Sequence, residues 1–508
     1  MERIAPQRDR CVARIRQPRP GGGFGWQDGG ALNRNPLLPV GEYPLEWRLA
    51  DGSSVSGILA LAGAQNVTGM AYDLPAEPPS ADVAAKTNSY WTVWEPSEKP
   101  YGAVRGELRN NLDAALPGAY VSHQAPGQSV LFAELAVVGP RLRENTELIF
   151  DEITFQADGL TELSGVAPLK DYNVPLRLVD DAPYGAAWND ASTREWTSPD
   201  GDRVRMHYLA SFAPPQGYKL SFTTAPVITV SGRPQPIDEW MSTYIRPCAE
   251  LAGFATNRPQ AITFVSVKRE GAGAASVYGR EVTQQRFDAE LSRPGTMPTL
   301  VHCGPGGLSL PDLVSRWSFM KEEYPVFLDY LASIPVEGLP ITARFTALMA
   351  SLESFHTIKY GAGPVSRNVF SREKNRAMRE IRNSCDVSKE SYAWLRRWGN
   401  FFGTYELRER LSALNEGLPQ VLRDLVDAST DPIPRLLSDV VKEPQDIWQI
   451  AGKARNNLAH GNTPQTSEQL TFLTRLGNTI AVGHALSLLE APADPFVTAI
   501  KRGDWRLE

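Results

Sequence analysis

Apolar and polar residues change their rhythm near residue 303 of this 508-residue chain. Before that point short runs alternate with a period of two, the rhythm of half-buried strands. Leu45-Glu46-Trp47-Arg48-Leu49 alternates, Asp51-Gly52 supplies a turn, and an apolar run resumes over 55–61, which predicts a hairpin. Further strands are predicted at 90–94, 130–138, 147–157, 174–179, 203–212, 218–223 and 262–267, separated by turns rich in Gly, Pro, Asp and Asn. One helix interrupts them over 237–253, with Trp240, Met241, Tyr244, Ile245 and Leu251 apolar. This spacing predicts an antiparallel sandwich or barrel-like domain.

The cluster Cys303-Gly304-Pro305-Gly306-Gly307 marks a linker or turn. No Lys-Ser/Thr follows it, so it is not a phosphate-binding P-loop. Beyond it apolar residues recur at three- and four-residue steps. Helices are predicted at 313–324, 325–333, 341–360, 368–383, 392–405, 406–414, 418–428, 434–441, 445–460 and 468–489. The fold class is therefore α+β and multidomain. A flexible tail rich in Arg, Gly and Pro is expected over 1–36, a β-rich domain over 37–303 and an all-α helical domain over 308–508.

Composition narrows the function classes. Hydrophobic residues make up 42% and charged residues 22%, ordinary values for a globular protein. The net charge of −6 excludes a wholesale basic coat, so any nucleic-acid contact must use a local patch. Cys11, Cys248, Cys303 and Cys385 are scattered without a CxxC pair, which argues against a zinc site and a disulfide scaffold and fits a reducing cytoplasm. No signal-peptide-like or membrane-length apolar run occurs. In the β-rich part His123 and His207 are isolated, and Tyr90, Trp91, Trp94 and Tyr101 read as core or as the lining of a recognition groove.

The stretch that carries chemistry is Ala454-Arg455-Asn456-Asn457-Leu458-Ala459-His460-Gly461-Asn462. Ile447, Ile450, Ala451, Ala454 and Leu458 form one apolar helical stripe. Pro444 suits the first turn, Gly461 a left-handed cap, and Pro464 forbids continuation. Asn456 and His460 are four apart and share a face, with Arg455 one step round. All three lie off the stripe. Such a trio suits RNA cleavage. A histidine moves the proton of a 2′-OH or of a leaving 5′-oxygen. An arginine holds a phosphate through two parallel hydrogen bonds, and an asparagine amide orients either. The negative dipole end of the helix favours the protonated histidine. R-x4-H is a short pattern, and spacing alone also fits a solvated helix end paired with carboxylates.

Set in an all-helical region, the R-N-N-L-A-H-G-N string resembles the signature of the HEPN superfamily, whose ribonucleases carry R-(N/D/H)-x(3 or more)-H at a helix end. The resemblance covers roughly 310–490. It implies a HEPN helical bundle in which the motif helix packs against the first long helix, here 341–360. It also implies Arg455, Asn456 and His460 as catalytic residues, with Glu353 and Asn457 in support. A β-rich region followed by Leu-Glu-x-Phe-His and Ala-Arg-Asn-Asn-Leu-Ala-His-Gly looks like the ApeA group of bacterial anti-phage proteins. That likeness implies an abortive-infection toxin whose β-rich region senses a phage-derived trigger or restrains the bundle. It implies metal-independent, cofactor-free cleavage of RNA, tRNA among the candidates, giving 2′,3′-cyclic phosphate and 5′-OH ends. A homodimer or higher homo-oligomer is implied, because HEPN sites form across two protomers. No membrane partner is expected. Arg376, Arg379 and Arg382, three apart on one predicted helix, form a basic stripe for RNA or a set of surface salt bridges. A non-catalytic HEPN nucleotide- or protein-binding module, or an antitoxin or scaffold, is the alternative.

Overall fold

The first strand shows how the sequence pattern becomes a sheet. In β1 (Gly41–Arg48) Leu45 and Trp47 are buried while Glu46 and Arg48 face solvent. β1 pairs antiparallel with β2 (Ser54–Leu61), Trp47 opposite Val55 and Leu45 opposite Gly57. The computed structural model describes residues 37–48, 54–72, 104–125, 128–142, 148–173, 185–212, 222–284, 299–335, 338–363, 367–383, 387–398, 404–430, 447–461 and 465–503. The tail 1–36, the turn 51–52, the strands expected at 90–94 and 174–179, the helix expected at 434–441 and the aromatics Tyr90, Trp91, Trp94 and Tyr101 lie outside them.

The protein is α+β, with a large antiparallel sheet in its N-terminal half and helices in its C-terminal half. It separates into two compact units, one drawn from residues 1–252, 260–297 and 302–314, the other from 253–259, 298–301 and 315–508. After β2 the first unit contains β3 (Val67–Tyr72), β4 (Val104–Leu108), β5 (Asp113–Leu116), β6 (Tyr120–Ala125), β7 (Gln128–Ala133), β8 (Leu135–Gly139), β9 (Ile149–Ala157) and helix α1 (Leu160–Ser164). It continues through β10 (Leu169–Asn173), β11 (Gly185–Trp188), β12 (Arg194–Thr197), β13 (Arg203–Phe212), β14 (Phe222–Pro236), β15 (Ile262–Lys268) and β16 (Ala275–Gly279).

Fourteen of these strands form one sheet in the order β12-β13-β14-β9-β15-β16-β8-β5-β4-β1-β2-β3-β7-β6, and β10 pairs with β11 apart from it. The expected sandwich or barrel-like domain is thus, in its pairing, a single continuous sheet. Alternation tells which face of a strand is buried, not which strand lies beside it. A sheet this wide must curl to cover its apolar face. Side chains of β1 to β5, β7, β8 and β16 close on one cluster around Trp47, Leu59, Leu131 and Tyr278. The Trp47 indole donates to the Met70 carbonyl at 2.7 Å.

Several predicted strands differ in extent, β1 among them, which begins at Gly41 rather than at Leu45. The run 130–138 is two strands, because the alternation of β7 ends at the exposed Glu134 and gives way to the continuously buried run 136–139; β7 then pairs with β3 and β6, and β8 with β5 and β16. Of the run 218–223 only Phe222 and Thr223 are described, and the strand they open, β14, continues to Pro236. Gly232, Pro234 and Pro236 read as breakers, but a register shift between Ser231 and Gln235 accommodates them. The predicted 237–253 helix is α2 (Ile237–Trp240), a π-type turn (Met241–Ile245) and α3 (Arg246–Thr256). Two side chains tie it down: Trp240 Nε1 donates to Phe150 O at 3.1 Å, and Tyr244 OH to Asp202 Oδ2 at 2.7 Å.

The helices that follow are α4 (Leu310–Glu323), α5 (Pro325–Ser333), α6 (Ile341–Tyr360), α7 (Arg367–Asn383), α8 (Lys389–Trp398), α9 (Leu407–Glu416), α10 (Gln420–Thr430), α11 (Ile447–His460), α12 (Ser467–Leu488) and α13 (Asp494–Arg502). The pattern placed α5 and α6 at their observed bounds. The helix expected at 392–405 ends at Trp398 in its described part, and Tyr405 is outside any helix, its N–H donating to Ala362 O at 3.1 Å.

The core of this unit lies between α5, α6 and α12. Phe327 stacks on Phe355 with centroids 4.3 Å apart, and the His484 ring lies 5.1 Å from Phe355. Phe345, Leu348, Leu352, Leu473 and Ile480 are buried with them. Thr466 caps α12, accepting from Gln469 N at 3.2 Å while the Gln469 side chain accepts from Thr466 N. Tyr330 OH donates to Asn478 Oδ1 at 2.6 Å.

Candidate active site

α11 ends where the sequence predicts. Ile450, Ala451 and Ala454 are buried and Leu458 half-buried, so the apolar stripe faces inward. His460 is the last helical residue, and Gly461 follows with φ +65°, a left-handed cap that a side chain would strain. The buried stripe packs α11 against α6 and α9. Gly452 is buried on this face beside Leu407 of α9, and a Cβ there would lie 3.9 Å from the Leu407 side chain, an ordinary packing contact.

This packing brings together Arg455 and Glu353. Arg455 Nε lies 3.3 Å from Glu353 Oε1, and one further Arg455 N–H points at Asn456 Oδ1 at 3.5 Å. Arg455 is half-buried, whereas Asn456 and His460 are exposed on the same face of the helix. Asn457 is half-buried one position on, its side chain without a hydrogen bond among the described residues. The site is thus an arginine held from below by a carboxylate, beside an amide and an imidazole open to solvent.

Beneath Glu353 the turn of α6 is pinned by a residue the sequence did not single out. Arg410 of α9 donates through Nη1 to Glu353 O at 3.2 Å and to the Thr357 hydroxyl, and through Nε to Tyr405 O at 3.0 Å. Thr357 in turn donates to Glu353 O at 2.8 Å. His356 lies buried on the same turn, its ring 5.3 Å from Tyr405 and edge-on to it, and its Nδ1 has no hydrogen-bond partner. Burial, and then the nearby Arg410 charge, hold its pKa below the usual histidine value. Arg408 and Arg410 look alike in the sequence. Only their placement in the fold separates them.

Arg376, Arg379 and Arg382 are exposed on α7. Arg376 pairs with Glu380 at 3.3 Å and with Glu373 at 3.8 Å, and Arg379 Nε donates to Asn375 O at 3.2 Å. No hydrogen bond or ion pair joins them to Arg455, Asn456 or His460 among the described residues. The stripe is therefore partly the set of surface salt bridges that its sequence also allowed.

Cys248 and Cys303 are buried free thiols, and burial pushes the Cys303 thiol up to about 12. Among the described residues no group of three or more His, Cys, Asp or Glu side chains could hold a metal ion, and no helix is long and apolar enough to cross a membrane. Compared with protein-family models, with curated proteins and with solved structures, the chain matches none.

Proposed function

We propose that this protein is a HEPN-type, metal-independent endoribonuclease of the ApeA-like anti-phage class, its site built from Arg455, Asn456 and His460. One observation carries the reading. The arginine of the R-N-x3-H string is oriented by Glu353 of the long helix α6, while Asn456 and His460 of the same helix end stay open. That is what binding and cleaving a phosphodiester requires.

In the proposed reaction the 2′-oxygen of a ribose attacks the adjacent phosphorus. The P–O5′ bond breaks as the 2′-O–P bond forms, leaving a 2′,3′-cyclic phosphate and a 5′-OH. One proton leaves the 2′-OH and one is delivered to O5′. His460 performs one of these transfers. Arg455 binds the nonbridging oxygens and stabilises the charge that grows on them, and Asn456 orients either partner. The nucleophile belongs to the substrate. Among the described residues the His460 side chain has no hydrogen-bond partner, and a second copy facing the same helix end would supply the other histidine and complete the cleft. The β-rich unit would sense a phage component or restrain the bundle.

The test uses a labelled oligoribonucleotide and its fully 2′-deoxy counterpart, each incubated with the purified protein. The reading expects cleavage of the first alone. Equal cleavage of both would contradict it, since the deoxy strand lacks the nucleophile.

A further inference from the structure

Two arginines meet at Glu353, but only one carboxylate serves them. Arg455 takes the side chain. Arg410 takes the backbone carbonyl of the same residue, together with the Thr357 hydroxyl and the Tyr405 carbonyl. All three of its acceptors are neutral, and its Nη2 donates to nothing among the described residues. Arg410 is also only half-buried. A guanidinium that has given up part of its hydration without gaining a carboxylate keeps an uncompensated positive charge that an anion could balance. The imbalance is felt locally, because Arg410 is one of the two causes that depress the pKa of His356.

We propose that Arg410 is a second phosphate-binding arginine of the site, gripping a phosphate of the RNA beside the one held by Arg455. The inference rests on the ribonuclease reading and adds a substrate contact to it. Its three neutral hydrogen bonds fix the guanidinium plane in advance, so little side-chain freedom is lost when the phosphate arrives. Glu353 then has two tasks. Its carboxylate orients Arg455, and its carbonyl helps orient Arg410, so both cations are referenced to one turn of α6.

The experiment measures binding apart from cleavage. His460→Ala serves as a parent that binds without turning over, and the probe is a short fluorescein-labelled oligouridylate titrated at several salt concentrations. Adding Arg410→Gln to this parent should weaken binding about tenfold and lower the slope of log K against log salt by about 0.7, the value for one lost phosphate contact on a single strand. Adding Thr357→Val instead removes a bond that holds Arg410 without removing charge. It should leave the slope unchanged, and a slope lost equally in both variants would assign Arg410 a structural role and overturn the proposal. Should Arg410→Gln fail to fold, Arg410→Lys decides. It keeps the charge and loses the fork, so affinity should fall severalfold at constant slope; unchanged affinity overturns the proposal. If the parent itself binds no RNA, the ribonuclease reading falls and takes this inference with it. If the parent binds and Arg410→Gln binds equally with the same slope, only the inference about Arg410 falls.

Discussion

Arg455 of α11 and Glu353 of α6 form an ion pair at 3.3 Å that links the helix end bearing the motif to the longest helix described in the first half of the bundle. The side chains retain 37% and 27% of their exposure. Solvent therefore screens the pair, and its worth to folding is at most about 1 kcal/mol. Its value lies in aiming the guanidinium rather than in holding the helices together.

Glu353→Gln should accordingly leave the thermal midpoint within a few degrees of the parent, yet lower kcat by roughly tenfold as Arg455 loses its orientation. Arg455→Lys should be worse for activity, because a point charge cannot make two parallel bonds to a phosphate. Thermal melts beside single-turnover cleavage rates check both. A large loss of stability with unchanged cleavage would reverse the assignment.

His460 ends its helix in solvent, and nothing described leans on it. His460→Ala should cost less than about 0.5 kcal/mol in a urea melt, while cleavage falls by at least about a hundredfold. A variant that unfolds easily would point to a structural histidine instead.

His484 behaves oppositely. Its Nε2 lies 2.9 Å from Leu414 O, so Nε2 carries the proton and the buried Nδ1, which has no partner, is a bare lone pair. Burial first, and the neighbouring Lys359 charge second, lower its pKa from 6.5 to about 4. The unfolded chain therefore binds a proton that the folded chain refuses. The stability from this group is fully present above pH 6.5 and is lost as pH falls toward about 4. Over that window the loss is on the order of 3 kcal/mol. Unfolding free energies measured between those limits should slope less steeply in His484→Gln than in the parent. Identical slopes would exclude His484 as the source.

The β-rich unit has its own tight point. A Cβ on Gly57 would run into the Met70 carbonyl and the Trp47 indole. Gly57→Ala should cost about 1–3 kcal/mol, seen as a lowered urea midpoint with altered tryptophan fluorescence. An unchanged midpoint would mean that Trp47 is less firmly seated than its 2.7 Å bond to Met70 O implies.

These residues also show what the sequence could reveal. The alternation through Leu45 and Trp47, the three- and four-step spacing of 341–360, and Gly461 after His460 are local signals; they gave the long helix at its observed bounds and the end of α11 at His460, but only the second half of β1, which begins at Gly41. Strand order was not legible. β9 pairs with β14 and β15, far along the chain, and no property of its own residues selects those neighbours. Short strands such as β5, buried at every position, show no alternation to detect. In the site, Arg455, Asn456 and His460 were legible through their spacing on one helix. Arg410 was not, because its role depends on α9 meeting α6 at Glu353, a contact between residues 57 apart.

The central claim is that this helix end cuts RNA through the ribose 2′-oxygen. The most direct measurement incubates wild type and His460→Ala with total bacterial RNA in EDTA and analyses the new 3′ ends. The account predicts cleavage by wild type alone, with 2′,3′-cyclic phosphate ends, with phage-infected lysate added if a trigger is required. Ends carrying 3′-OH, or equal cleavage by the two proteins, would contradict it.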